Sequence, residues 1–494
     1  MTESALHPAA QWAYRSAGEL AESLQKREVS ALELADQFID RIEGLDGELN
    51  AVPVRDFARA REAARQADAA LARGERLPLL GVPVTIKESY NVAGLPTTWG
   101  IPAAKHFIPP EDALAVSRLK AAGAIVLGKT NVPLGLGDAQ SYNDIYGTTN
   151  NPWDRTRSPG GSSGGSSAAL AAGFGPLSLG SDIGGSLRVP AHFCGVCAHK
   201  PTFDLVPSRG HTPPGVPAWA GRTYLAVVGP MARSVDDLVL ALDIIAGPDE
   251  AADGRAYRLN LPPARGEKLS DFRVLVIAEH PLLPTSAPVG ASLDRLSKHL
   301  AAAGADVKRE TPLLPDPEAS ARLYVKLLNA FLSAGMPDDQ YQEVRSAAEK
   351  IPAADQSLVA ELMRGALLSA RELFRFDFAR QGLQQRWRVL FQNFDVVVCP
   401  PAATPAFPHD HTEPPEERKI VVDGREFPYD HLLVWADPAT TCGLPATVVP
   451  IAIADGLPIG VQIIGPEYED RTPLAFARLV EREFGGFAAP PGYA

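Results

Sequence analysis

Two serine- and glycine-rich segments carry the residues best able to do chemistry. Ser158-Pro159-Gly160-Gly161-Ser162-Ser163-Gly164-Gly165-Ser166-Ser167 is followed by Leu179-Gly180-Ser181-Asp182-Ile183-Gly184-Gly185-Ser186-Leu187-Arg188-Val189-Pro190, and a small-residue helix is expected between them over Ala168 to Gly173. Two such turns flanking one helix gather hydroxyls and backbone amides in one place, and glycine there allows positive φ and close approach of a second backbone or a ligand. The turn Ile183-Gly184-Gly185-Ser186 can aim successive amides at one point, as an oxyanion hole requires. A flexible linker does not fit, because apolar runs bracket the serines and Arg188-Val189-Pro190 follows at once. A phosphate cradle does not fit either: there is no G-x-x-x-x-G-K-[ST], nor a G-x-G-x-x-G after a clear strand. Gly161 to Gly165 reads G-x-S-x-G with Ser163 central, and the frame one residue earlier does so with Ser162. Yet a nucleophile elbow needs a buried strand just before it, and Asp154 to Pro159 is polar.

Other clusters invite metal chemistry. His192-x-Cys194-x-x-Cys197-x-His199 places two thiols and two imidazoles close together, but structural zinc sites draw their ligands from two separated pairs. His409 and His411 form a pair without a third ligand, inside a Pro-rich stretch from Pro400 to Pro415 that reads as a surface loop. No metal site and no cofactor is expected.

Helices and strands alternate around these segments. Ser30 and Glu33 have capping-box spacing, and Leu34, Phe38, Ile39 and Ile42 then recur at helical intervals. A helix is expected from Arg55 to Arg73, ended by Gly74. The β-branched run Gly81 to Lys87 reads as a strand that finishes on a lysine. A helix over Glu111 to Ala122 leads into a strand at Ala124 to Leu127. Phe272 to Ile277, Ala305 to Val307, Asp395 to Val398, Ala446 to Val449 and Gly460 to Ile464 are further strands, with a helix over Ala291 to Ala303 and several between Pro317 and Phe391. The pattern predicts an α/β fold with a large sheet covered by helices on both faces, built from residues 1–494 as one domain.

Composition narrows the partners. A net charge of −12 over 494 residues argues against nucleic acid, which requires a concentrated basic surface. No apolar stretch is long enough to span a membrane, Met1 to Leu20 lacks the pattern of a signal peptide, and four cysteines cannot build a disulfide framework, so a cytoplasmic protein is expected.

Together these segments resemble the amidase signature family of serine hydrolases. Gly81 to Lys87 with Gly94-Leu95-Pro96-Thr97-Thr98 resembles the block that carries the family's lysine. Gly128 to Asn131, Gly147 to Trp153, Phe193-Cys194-Gly195-Val196, Lys200-Pro201-Thr202, Gly229 to Arg233, Gly443 to Ala446 and Gly456 to Gln462 resemble its other blocks. The signature core spans about residues 81–237 and a C-terminal part 392–480, whereas 265–391 is much less distinctive. The resemblance implies Ser186 as nucleophile, Ser162 as a bridging serine that is usually preceded by a cis peptide, Lys87 as base, and the amides of Ile183, Gly184 and Gly185 as oxyanion hole. It also implies that Asp182 and Arg188 pair to brace the turn. The chemistry agrees, since a serine needs an adjacent base and burial lowers a lysine's pKa into the working range. Glu88 stands where the family usually has Asp, which alters the surroundings of Lys87 and not its role. Leu136 and Asp138 resemble a segment lining the acyl side, and Trp99 and Trp435 could supply apolar wall. The implied partner is a small amide, anilide or carbamate, and the implied state a monomer or homodimer. The A subunit of glutamyl-tRNA amidotransferase is the alternative, disfavoured because Tyr224-Leu225-Ala226-Val227-Val228 stands where relatives of that kind usually read Ser-Leu-Asp-Gln. A catalytically silent scaffold is a further alternative.

Overall fold

The computed structural model describes residues 12–221 and 224–494, so the reading of Met1 to Leu20 falls partly outside the described residues. The strands are β1 (Val54–Arg55), β2 (Pro83–Lys87), β3 (Ile125–Thr130), β4 (Tyr142–Asn143), β5 (Gly147–Thr148), β6 (Leu177–Asp182), β7 (Cys197–Lys200), β8 (Val227–Ala232), β9 (Arg273–Val276), β10 (Asp306–Lys308), β11 (Val396–Cys399), β12 (Lys419–Val422), β13 (Arg425–Pro428), β14 (Ala446–Ala454) and β15 (Leu457–Ile464). Eleven of them form one mixed sheet in the order β1-β3-β2-β6-β8-β7-β14-β15-β11-β9-β10, while β4/β5 and β12/β13 are separate hairpins. The α/β expectation is met.

The parallel trio β3-β2-β6 positions the site. Every residue of β2 and β6 is buried, as a strand with both faces covered must be. Because β2 and β6 run parallel with Ile86 opposite Leu179, Lys87 and Ser181 both lie near the C-terminal ends of these two interior strands. The helix Gly164–Ala171 packs across β2, β3 and β6. It starts at Gly164, earlier than the expected Ala168, despite the poor helix propensity of glycine. Contact explains this: a Cβ on Gly164 would lie 2.4 Å from Ser141 Oγ, and one on Gly165 2.3 Å from the Asn131 nitrogen.

Local signals elsewhere held. Ser30 caps the helix Ala31–Leu45 with both arms of the capping box formed to Glu33. The helix Phe57–Ala72 is followed by Gly74 at φ 88°. Residues 317–393 hold four helices, Pro317–Ser333, Asp338–Glu349, Leu358–Gly365 and Ala370–Asn393. The Pro400 to Pro415 stretch departs from the surface-loop reading in its first half. Pro400 to Thr404 and Ala406 are buried, with Ala402 and Ala406 packed on Val189 and Phe193 of the helix Arg188–Cys194. Prolines suit this segment because it runs from β11 over that helix without needing ladder hydrogen bonds.

Candidate active site

Lys87 ends β2 inside the protein, and its amine donates to Ser162 Oγ at 2.7 Å, Ser181 Oγ at 2.9 Å and Ser163 Oγ at 3.0 Å. Among the described residues no carboxylate bonds to it. Burial in a low-dielectric surround disfavours the ammonium and brings the pKa of Lys87 down to about 7, against the opposing pull of Asp182. Near neutrality a substantial fraction of this amine is therefore unprotonated and able to accept a proton.

The serines come from both glycine-rich turns. Ser162 follows a cis peptide from Gly161, and Ser163 stands just before the helix Gly164–Ala171. The Ser163 amide donates to the Ser186 carbonyl at 3.2 Å, which ties the second turn to the first. Ser186 is 8 % exposed, and its hydroxyl makes no hydrogen bond to a described residue. Gly161 has room for no side chain, since a Cβ there would lie 2.2 Å from the Asp138 carbonyl oxygen. Ser163 and Ser181 also accept from Lys87, at slightly longer distances than Ser162. Neither has a role implied by the sequence, where the only signal is their place in the same two turns.

The turn between β6 and the helix Arg188–Cys194 is held from inside. Asp182 and Arg188 pair with both buried, Nη2 to Oδ1 at 2.8 Å and Nε to Oδ2 at 2.9 Å. Arg188 also donates to Gln462 Oε1 at 2.6 Å, Thr440 Oγ1 at 2.8 Å and the Ala436 carbonyl at 3.1 Å. Burial works against the Asp182 carboxylate, but Arg188 beside it holds its pKa down at about 2. The same carboxylate accepts the amides of Gly185 at 3.0 Å and Leu187 at 3.1 Å. This narrows the expected oxyanion cradle: the Gly185 amide is turned inward, and the amides left without a hydrogen bond to a described residue are those of Ile183, Gly184 and Ser186. Gly185 supplies its φ of 94° to the turn.

The neighbouring sequence candidates have other partners. Glu88 is buried and accepts the amides of Thr98 at 2.5 Å and Trp99 at 2.9 Å and the Tyr146 hydroxyl at 3.2 Å, so it organises the Thr97 to Trp99 turn. Buried Lys129, brought down to about 8 by burial against the pull of Glu88, donates to Thr97 Oγ1 at 2.7 Å and to the Pro96 carbonyl. Asp138 stands beside Gly161, but its carboxylate accepts Tyr429 at 2.7 Å and forms an ion pair with Arg418. Arg418 donates further to Tyr142 at 2.7 Å and Glu413 at 2.8 Å, so these groups bind the segment preceding β12 to the Leu134 to Gln140 loop. Leu136 lies half-buried in that loop at φ 62°. Trp99 donates its indole N–H to the Ser89 carbonyl at 2.9 Å, and Trp435 is buried.

The four metal-like residues diverge. His192 meets the Thr404 carbonyl at 3.0 Å and the Gly460 amide at 2.8 Å, whereas His199 meets Thr447 at 2.9 Å and Asp470 at 3.1 Å. The Cys194 thiol faces Ser167 and Pro159, and that of Cys197 faces Arg233 and Glu481. His409 bonds Asn150 at 3.0 Å, and the His411 ring stacks on Tyr142 at 3.7 Å. Among the described residues no three His, Cys, Asp or Glu converge as a metal set.

A mixed sheet covered by helices thus brings a buried amine, several hydroxyls and amides unbonded to described residues together at the ends of β2 and β6. Comparison with known proteins gives the family. The family model described as Amidase matches residues 33–474, and the chain belongs to that family of amide-hydrolysing enzymes. It is 36% identical over 476 residues to a putative amidase, AmiB2, of Mycobacterium tuberculosis, covering 95% of this chain and 96% of that one. It is 33% identical to the A subunit of the glutamyl-tRNA(Gln) amidotransferase of Roseiflexus castenholzii, covering 93% and 94%. A solved structure, described as a vestigial protein complex that reveals the evolutionary origins of an s-triazine catabolic enzyme, matches with TM-score 0.80 and 29% identity, covering 96% of this chain and 100% of that one. Among the described residues no helix is long and apolar enough to cross a membrane.

Proposed function

We propose that the protein hydrolyses the C–N bond of a small carboxamide, anilide or related amide through an acyl-enzyme on Ser186. The observation that carries this reading is the Lys87 amine, buried, brought to about 7 and 2.7 Å from Ser162 Oγ. The Ser186 hydroxyl gives its proton to Ser162, whose own proton passes to the neutral Lys87 amine, while Ser186 Oγ attacks the amide carbonyl. The unbonded amides of Ile183, Gly184 and Ser186 supply donors for the oxyanion that forms. As the tetrahedral adduct collapses, Lys87 returns the proton through Ser162 to the leaving nitrogen. Water then attacks the ester, giving a proton through Ser162 to the neutral Lys87 amine, and as this second adduct collapses Lys87 returns the proton through Ser162 to Ser186 Oγ, releasing the acid and free Ser186.

Asp182 and Arg188 act as a brace, and Leu136 and the Asp138 loop form part of the acyl-side wall. With the Asp138 carboxylate already bonded to Tyr429 and Arg418, an uncharged acyl group suits this wall better than a cationic one. The A subunit of an amidotransferase stays the second reading because a relative of that name is 33% identical. Treatment with a fluorophosphonate and peptide mapping tests the proposal: Ser186 should be labelled in the wild type and labelled far more slowly in Lys87→Ala and Ser162→Ala. Equal labelling in all three would refute the relay. Turnover of simple amides by the purified chain alone separates a free amidase from a component of an amidotransferase.

A further inference from the structure

The helix Pro317–Ser333 belongs to the least distinctive stretch of the sequence, yet it sends one side chain into the site. Tyr324 is fully buried, and its hydroxyl donates to the Ile183 carbonyl at 2.6 Å. A peptide unit is planar and trans, so its C=O and N–H point in opposite directions. Holding the Ile183 oxygen therefore fixes the direction of the Gly184 N–H, which points away from Tyr324 and carries no hydrogen bond to a described residue. Gly184, having no side chain, restricts rotation of this peptide less than any other residue would. Asp182 fixes the next peptides by taking the Gly185 and Leu187 amides, but makes no bond to the Ile183–Gly184 unit. Among the described residues, Tyr324 is the group that does. Burial raises its pKa well beyond the working range, so the hydroxyl stays protonated and remains a donor. Leu433 lies on the same side, with Cδ2 3.1 Å from where a Gly184 Cβ would be, and limits movement of the turn.

We propose that Tyr324 is a positioning residue that orients the Gly184 amide as an oxyanion donor, an inference that rests on acylation at Ser186. An oriented donor matters most when charge develops on the substrate oxygen, so its loss acts on the transition state and leaves ground-state binding almost unchanged. Tyr324→Phe keeps the ring and its packing and removes only the hydroxyl. Its kcat should fall about tenfold to a hundredfold, short of the ~10²–10³ that loss of a whole oxyanion donor costs, with KM within about threefold of wild type. A boronic acid that mimics the tetrahedral adduct should lose affinity by the same factor, and the acid limb of the pH–rate profile should stay where it is. A variant with 3-fluorotyrosine at position 324 retains ring and donor, and should keep kcat within about threefold. That comparison also serves if the Phe variant proves poorly folded, since a large loss with fluorotyrosine would overturn the inference. Ser186 labelled in the wild type but kcat unchanged in Tyr324→Phe overturns the inference alone. No labelling at Ser186 overturns the proposed function and this inference together.

Discussion

Replacing Lys87 by Met tests the buried amine through stability, independently of turnover. In the unfolded chain a lysine titrates at its ordinary value of 10.5, and in the fold Lys87 titrates at about 7. Between these values the unfolded state holds the extra proton, so stability rises with pH across the window from about 7 to 10.5. Below pH 7 the folded protein carries a buried ammonium and the penalty is complete. A fall from 10.5 to about 7 corresponds to roughly 5 kcal/mol at most. Linkage places roughly half of that between pH 6 and pH 9. Methionine fills similar volume without titrating, but loses the bonds to Ser162, Ser163 and Ser181, a constant offset at every pH. The quantity to compare is therefore the difference between wild type and Lys87→Met from urea unfolding at pH 6 and at pH 9. Wild type should gain roughly 2 to 3 kcal/mol relative to the variant over that interval. A difference that does not change with pH would mean that Lys87 stays charged in the fold, and the reasoning would fail.

Three further outcomes follow from the same geometry. Asp182→Asn leaves Arg188 buried without its counter-charge and should cost about 3–5 kcal/mol in urea unfolding; because the carboxyl is held at about 2, its own ionisation adds no pH dependence to that loss between pH 5 and pH 8. Asp138→Asn should lower the Tm by weakening the Arg418 and Tyr429 contacts, without improving kcat/KM for neutral over cationic amides; a selective gain for one charge class would place the carboxylate in contact with substrate instead. The four cysteines are buried, with the Cys194 thiol pushed up to about 12 by burial, so a thiol reagent should modify none of them in the native protein and all of them in guanidinium, and a chelator should leave the Tm unchanged.

What could be read from the sequence was whatever depended on neighbours along the chain. The Ser30 cap and the strand ending at Lys87 each lie within a few residues of their signals, whereas the Asp182–Arg188 pair was implied by the family resemblance alone. The Gly164 start of its helix was hidden, because glycine propensity argues against a helix and only contact with Ser141 and Asn131 explains it. The buried half of the Pro400 to Pro415 stretch was hidden too, since its prolines suggest exposure while Ala402 and Ala406 pack on a helix from far earlier in the chain. Tyr324 and Arg418 were hidden for the same reason: each reaches its partner across more than a hundred residues, and neither position is marked by pattern or spacing. Glu88, one residue past the end of β2, holds the Thr98 and Trp99 amides, a partnership across ten residues that no spacing in the sequence marks.

Of these four serines, Ser186 is the one whose hydroxyl makes no hydrogen bond to a described residue, whereas Ser162, Ser163 and Ser181 all accept from Lys87. Rapid-quench mass spectrometry with a slowly deacylating aryl amide decides which of them reacts. The account predicts an adduct of the acyl group's mass on the peptide containing Ser186; an adduct on Ser162 or Ser163, or turnover with no adduct at all, would contradict it.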